Sequence, residues 1–582
     1  MSPPFGAYLK LLARYVEPQR RRALLLGVLL LAGIGIQVAN PLVIRRLIDS
    51  AISPGATSSS LAPPAVAFLL FALVSQGLSI GAAALGEDIG WTATNLLRAD
   101  LARRCLALDT SFHGEHTAGE LVERIDGDVN ALAGFFSQLA VQLLGSLLLI
   151  VGILIAVVRE SLTVGATLSV IAGIALAVLL RLRLLGVRRY AAGRKASADF
   201  SGYLEEQLTA TEDVRASGAV SYVLRRFHEH SRARLAAERA AGLAGGALSA
   251  ASIGTFTVVY AVTYGISAHL FREGAITLGT VYLIVHYAEL LQRPIQQVML
   301  QIDDLQRARA GIHRIRELTE VPITIRDGRG EALPDGALTV AFDRVSFGYD
   351  DRDGVLCALS FELAPRKILG VLGRTGSGKT SLARLLMRLY EPASGVIRLG
   401  GVDIRELGLS SLRRRVGMVP QEVRIFHGTL RDNLTLFDRS VPDEAVLSAL
   451  EELGLGGFCA SLPRGLDTLL GAGGRVPSAG EAQLLSLARV LLRDPDVVIL
   501  DEASSRLDPS TEQRIERALD RLFSGRTGII VAHRLRTVER ADEIAFLEDG
   551  QLRERGARDA LAADRSSRYH ALLRTARGEV VS

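Results

Sequence analysis

Six apolar runs constrain this chain more than any other feature. They are Ala23–Val43, Ala65–Leu85, Leu132–Val157, Leu162–Leu185, Leu248–Phe271 and Ile276–Val298. About 20 consecutive apolar residues cross a hydrocarbon core roughly 30 Å thick. Inside that core every backbone N–H and C=O must find its partner within the segment, so such runs are expected to be helices. Six crossings return the chain to the side from which it started. A cleaved signal peptide fits the first run poorly, because the run is too long and no A-x-A site ends it.

The connections between the runs are unequal. Those at 53–64, 159–161 and 272–275 are short, whereas 86–130 and 186–243 are long and charged. Arg188, Arg189, Arg194, Arg215, Arg225, Arg226, Arg232 and Arg234 all lie in the second long segment. The positive-inside rule therefore places both long segments, both termini and the C-terminal half in the cytosol of a cell whose inner membrane carries the chain. Arg45 and Arg46, at the first outer turn, run against that rule. Both long segments read as helices extended past the bilayer, broken near Leu106–His113 and near Glu212–Gly218. They are either hairpins that pass movement to another domain or merely solvated helical pairs. Ahead of the first run, Phe5, Tyr8, Leu9, Leu12 and Tyr15 share one helical face, which predicts an interfacial helix over 5–16 ended by Pro18.

In the sixth run Tyr282, His286, Glu289 and Arg293 are spaced by four, three and four, hence on one face. Charges at membrane depth cost about 2.5–3.5 kcal/mol each on insertion scales, so they face a partner or a wet cavity. Two readings stand: the stripe lines a substrate pathway, or Glu289 and Arg293 pair with each other near the interface.

The C-terminal half is of another kind. After a Pro-, Gly- and charge-rich linker at 321–337, short strands alternate with helices from residue 338 to 582, an α/β pattern. Here Gly373-Arg374-Thr375-Gly376-Ser377-Gly378-Lys379-Thr380 fits G-x-x-x-x-G-K-[ST]. A short apolar strand, Ile368–Leu372, precedes it and a helical pattern follows, the context in which glycine-rich backbone and a helix N-terminus close around phosphate. Lys379 is one of only four lysines, with 10, 195 and 367, in a chain of 582 residues whose other basic side chains are arginines. The sequence thus predicts a nucleoside triphosphate site. About 120 residues on, Asp496–Glu502 reads as a buried strand ending in two carboxylates. Asp501 suits Mg²⁺, together with Thr380, and Glu502 suits polarising an attacking water, because phosphoryl transfer asks a protein mainly for position and charge. Cys105, Cys357 and Cys459 are scattered and support neither a disulfide framework nor a zinc site.

Taken in this order, the segments resemble an ATP-binding cassette exporter half-transporter over essentially the whole length. The implied fold is an all-α six-helix transmembrane domain (1–320) with long cytosolic hairpins, followed by an α/β P-loop nucleotide-binding domain. By the same resemblance Tyr349 stacks on adenine, and Gln421 senses Mg²⁺ and faces the hairpin tips. His533 touches the γ-phosphate, and Ser505–Asp508 forms the loop between facing cassettes, with Arg506 where Ala is usual. The implied cofactors are ATP and Mg²⁺.

The departure is the signature. Where the family has Leu-Ser-Gly-Gly-Gln, this chain has Pro477-Ser478-Ala479-Gly480-Glu481, and Ala472 stands where a Glu is usual. In the family two cassettes face head to tail, and each signature, here Ser478 and Gly480, completes the nucleotide site on the other's P-loop. Pro477 lacks an N–H, Ala479 adds a methyl, and Glu481 brings a carboxylate toward an anion. Ser478-x-x-Glu481 also fits a capping box, so the segment is equally a well-capped helix. Because only what this chain offers its partner is altered, the expected assembly is a heterodimer with one competent and one impaired ATP site. The expected partner is a second half-transporter with an intact signature that lacks the catalytic Glu. Export of a lipid, a drug-like molecule or a small peptide or metabolite leads. A gating or regulatory subunit, or an importer built on this fold, are the other readings. Nucleic acid is excluded as a partner by the spans.

Overall fold

The computed structural model describes residues 13–53, 57–130, 132, 139–349, 354–471, 473–501, 509–532 and 535–576. The chain divides into two compact units, one of residues 1–106 and 118–321, the other of 107–117 and 322–582.

The first unit is helical. Its long elements are α1 (Arg20–Ile52) and α2 (Ser58–Ala107). At its end α2 gives way to the short α3 (Thr110–Glu115), which belongs to the second unit. The chain returns through α4 (Gly145–Glu160), α5 (Leu162–Thr209), α6 (Val220–Arg272) and α7 (Leu278–Glu320). Five helices among the described residues are long and apolar enough to cross a membrane. The sixth expected span lies in α7, whose polar residues (His286, Glu289, Gln292 and Arg293 among them) dilute its apolar character. Even so, α7 is central: Leu283, Ile284, Tyr287, Ala288, Leu291 and Ile295 are all buried, packed with Ile153 and Val157 of α4 and Leu179 of α5.

Several expectations are corrected here. The second helix starts at Ser58, ahead of the apolar span expected from Ala65, with Pro63 and Pro64 in its first two turns, the end of a helix that tolerates proline best. The helical face at the N-terminus falls mostly on 1–12, outside the described residues. Tyr15 is buried and its hydroxyl donates to Asp100 of α2 at 3.2 Å, so it packs on protein. Pro18 sits in a one-turn 3₁₀ segment, Glu17–Gln19, leading into α1. Arg45 pairs with Glu160, and lies 3.7 Å from Asp49, so its charge is partnered within the fold although it still counts against the charge rule. Asp49 in turn accepts from Thr277 Oγ1 and from Gly279 N, both at 2.9 Å, fixing the start of α7. The breaks in both hairpins fall where the sequence places them, at 108–109 and 116–117, and around Gly218, whose φ is +65°.

In the second unit a six-stranded sheet runs in the order β12-β11-β3-β10-β9-β6. Its centre is β3 (Ile368–Gly373), flanked in parallel by β10 (Thr527–Val531) and β11 (Glu543–Glu548). Beyond β10 lie β9 (Val497–Asp501) and then β6 (Val416–Val419), also parallel. β12 (Gln551–Ala557) closes the other edge antiparallel. A second sheet, β2-β1-β4-β5, is antiparallel throughout and was not foreseen from an α/β pattern; it is built from β1 (Val340–Phe347), β2 (Leu356–Leu363), β4 (Ser394–Leu399) and β5 (Val402–Asp403). The outer faces of β1 and β2 alternate with buried ones, and the buried set packs with Leu369 and Val371 of β3 in one core. All five residues of β9 and of β10 are buried, as expected for central parallel strands.

Candidate nucleotide site

The site grows from the carboxyl end of β3. After Gly373 the chain turns through Arg374, Thr375 and Gly376, all exposed, and re-enters the protein at Ser377 and Gly378. Gly378 has φ +97°, and a Cβ there would come within 2.5 Å of Leu356 Cδ2 and 2.9 Å of Val355 O. Only glycine fits that position, which is the N-cap of α8 (Lys379–Leu386). The loop therefore presents backbone N–H groups at a helix N-terminus, where partial positive charge accumulates.

Lys379 is only 5% exposed, and its Nζ donates to the carbonyls of Gly373 and Arg374, each at 2.8 Å. The ammonium thus lies folded across the loop crest. Ser377 Oγ is buried with no hydrogen-bond partner among the described residues, an orphan that a phosphate oxygen satisfies. Thr380 Oγ1 donates to Asp501 Oδ1 at 3.3 Å, joining the start of α8 to the end of β9. Asp501 is 3% exposed. A hydroxyl and a carboxylate side by side are hard oxygen donors of the kind Mg²⁺ takes alongside phosphate oxygens.

Tyr349 stands beside the same helix. Its hydroxyl is 2.9 Å from Ser381 Oγ and accepts from Arg384 Nη1 at 3.1 Å. Phe347 and Tyr390 meet its ring edge-on at 4.9 Å and 5.2 Å, leaving the ring 41% exposed. Gln421 is exposed two residues beyond β6, whose Val419 pairs with Leu500 of β9, so Gln421 and Asp501 leave adjacent strand ends. The structure thus brings Ser377, Lys379, Thr380, Asp501 and Tyr349 together, with Gln421 on the neighbouring strand end. Glu502, His533, Ser505–Asp508 and Ala472 lie outside the described residues.

Ser478 and Gly480 are elsewhere in the unit. α9 (Leu430–Thr435) and α10 (Ala479–Leu491) are both opened by capping boxes. In α10, Ser478 N–H donates to Glu481 Oε2 at 2.8 Å, and Glu481 N–H donates back to Ser478 Oγ at 3.3 Å. The Glu481 carboxylate also pairs with Arg475 at 3.3 Å. Its charge is therefore already partnered by Arg475. Two features were not read from the sequence. Arg489 of α10 reaches Asn433 of α9 and the backbone of Arg424, and Asp109 reaches the linker; neither contact has a local signal.

Residues 23–295 match the family model described as ABC transporter transmembrane region, and 356–505 that described as ABC transporter. An ABC transporter ATP-binding protein of Bacillus subtilis (strain 168) is 31% identical over 556 residues, 93% of this chain and 90% of that protein. The chain belongs to the ABC transporter family.

Among further relatives, an ATP-dependent lipid A-core flippase of Syntrophus aciditrophicus (strain SB) is 30% identical over 517 residues, 87% of this chain and 84% of the flippase. A solved bacterial Atm1-family ABC exporter with ATP bound is similar at TM-score 0.80 and 26% identity, across 97% of this chain and 99% of that one. This ABC transporter is accordingly an exporter with a helical transmembrane domain and an ATP-binding domain, and a transport ATPase. The P-loop geometry above is what such a domain needs to hold ATP.

Proposed function

We propose that this ABC exporter works as one half of a heterodimer, with its own P-loop serving the competent ATP site. The observation that carries this reading is the capping box at the start of α10. Pro477 has no N–H, and the N–H groups of Ser478 and Glu481 are both committed inside the box. Of the turn that offers donors to a partner's nucleotide in this family, Ala479 and Gly480 alone keep N–H groups not used in the box. The defect is one of missing donors more than of charge, given the Arg475 pair.

On the chain's own side, Lys379 exchanges its two carbonyl acceptors for phosphate oxygens, and Ser377 Oγ gains the partner it lacks. Mg²⁺, when bound, would neutralise phosphate charge, with Thr380, Asp501 and Gln421 as its protein ligands. Glu502 would orient the attacking water and His533 would contact the γ-phosphate. Tyr349 presents its exposed ring to the adenine. The spans lie in the cytoplasmic membrane with the termini and nucleotide domain cytosolic, a topology supported by the arginine-rich long segments. The substrate is an amphiphile or small organic molecule leaving the cytosol.

The test compares ATP hydrolysis by the purified chain alone with that of the chain co-purified with a half-transporter carrying Leu-Ser-Gly-Gly-Gln. The expected result is turnover at least about tenfold faster in the mixed complex, abolished by Glu502→Gln in this chain. Full turnover by the chain alone would exclude the heterodimer.

A further inference from the structure

The membrane unit has an open cavity of about 380 Å³ between α1, α2, the residues 142–149 just before and at the start of α4, and α7. Its apolar wall includes Leu29, Ile34, Leu78 and Leu149. Its polar groups are the ones that decide what it holds. Arg293 of α7 lines it, and no Asp or Glu does. Glu289, one turn before Arg293, is held by His286 at 3.6 Å, so the guanidinium is not neutralised from its own helix. Gln142 and Gln297 line it too, and both amide oxygens are engaged: Gln142 Oε1 accepts from Gln301 at 3.0 Å, and Gln297 Oε1 accepts from Ser146 at 3.2 Å. Among the described residues neither amide's Nε2 donates within the protein. What remains toward the cavity is therefore one positive charge, the Arg293 guanidinium, and two amide N–H₂ donors, beside Gln37, Ser75 and Ser79, which can donate or accept, and an apolar wall.

A cavity at membrane depth whose lining holds one cation, no acid and several amide and hydroxyl donors suits a ligand with a negative charge and acceptor oxygens, attached to an apolar body. A volume of about 380 Å³ lies within the range of about 300–1,000 Å³ usual for ligand sites. It accommodates a charged head and the first methylenes of a chain, the rest lying in the surrounding apolar phase. We propose that this cavity is a binding site for the acidic head of an anionic amphiphile, with Arg293 as the charge partner and Gln142 and Gln297 as orienting donors. The inference deepens the export reading, on which its role as a transport site rests, by naming the substrate class. The shared chemistry, an anionic oxygen head on an acyl chain, comes either from a free fatty acid or from an acidic glycerophospholipid.

The test uses the full chain in phosphatidylcholine nanodiscs without ATP, photolabelled with a diazirine-bearing palmitate and mapped by peptide mass spectrometry. Label is expected on the peptides holding Leu29–Gln37 and Ser75–Ala82, displaced by excess oleate and not by oleylamine. It should fall about tenfold in Arg293→Gln and return in Arg293→Lys, the loss expected for one charge-assisted contact. Gly145→Leu should block it, because a Cβ at Gly145 meets no atom within 4 Å and the added side chain fills the cavity. Displacement by phosphatidylglycerol as well as oleate assigns the bilayer lipid as the source, and displacement by oleate alone the free acid. Equal labelling of wild type and Arg293→Gln would overturn the site, as would equal displacement by oleylamine, a comparison that needs no variant. Labelling needs no turnover, so a labelled site without ATP-dependent efflux would remove the export reading and leave the site standing.

Discussion

Arg489 is a charge whose work is structural. Its Nε donates to Asn433 O at 2.7 Å, Nη2 to Asn433 Oδ1 at 3.0 Å, and Nη1 to Arg424 O at 2.9 Å. Burial lowers its pKa, and a guanidinium starts so high that it stays protonated. Asn433, fully buried, passes the constraint on: Nδ2 donates to Phe426 O at 2.9 Å and to Thr429 O at 3.0 Å, and Oδ1 accepts from Phe426 N at 2.8 Å. The segment after Gln421 is thereby tied to the helix that carries Ser478 and Gly480. Arg489→Met should cost about 3 kcal/mol, because it strands buried acceptors; urea titration of the full chain in detergent measures it, and Arg489→Lys should recover part. No reading of the sequence reaches this contact, since its partners are 56 residues apart and neither sits in a motif. By contrast Gly378, Lys379 and Asp501 were legible, because a P-loop is a local pattern whose steric demands are met by adjacent residues. Asp432 supplies a titratable counterpart. The Thr429 N–H, which donates to Asp432 Oδ2 at 3.0 Å, and the Thr429 side chain beside it hold its carboxyl below the usual carboxylate range. Its folded pKa being depressed, its contribution to stability is fully present above about pH 4 and is lost as pH falls through the lower folded value. Asp432→Asn should remove that acid-limb loss from the pH dependence of unfolding.

Elements show where pattern ends and competition begins. Ser478-x-x-Glu481 announced its capping box, and the box forms, because both partners lie within one turn. Glu289 and Arg293 announced an equally local pair, yet Glu289 faces His286, whose ring stacks on Tyr282 at 5.6 Å. Two bases within reach of one acid leave spacing alone unable to choose. The element between the units' segments in sequence, α3, carries the clearest consequence. Asp109, its N-cap residue, accepts from Thr324 N at 2.8 Å, Thr324 Oγ1 at 2.6 Å and Ile325 N at 3.3 Å. One carboxylate thus fixes the linker's start to the tip of the first hairpin. Asp109→Ala removes all three acceptors. Limited proteolysis of the full chain should then cut within 321–337 about tenfold faster, while photolabelling by an ATP analogue stays unchanged.

At the scale of the whole chain, the division into an apolar and a charged half was legible from composition alone, whereas the antiparallel sheet was not. Its strands β1 and β2 alternate buried and exposed residues over too few positions to distinguish a hairpin from the edge of a parallel sheet. The charge rule that orients the chain counts bases and gives acids little weight. Arg45 therefore still counts against the expected topology, although in the fold it is held by Glu160 and, at 3.7 Å, by Asp49. Glu160 sits at the end of α4, two helices from Arg45 along the chain, so the compensation becomes available only after α4 has been inserted. Glu160→Gln removes the partner of Arg45 without adding or removing a base. It should therefore leave the fraction of chains with an inverted first hairpin unchanged, read by labelling of a cysteine placed at Thr57 from outside sealed vesicles. Glu160→Asp should keep the wild-type labelling. Unchanged labelling in Glu160→Gln would mean that the long arginine-rich segments orient the protein unaided.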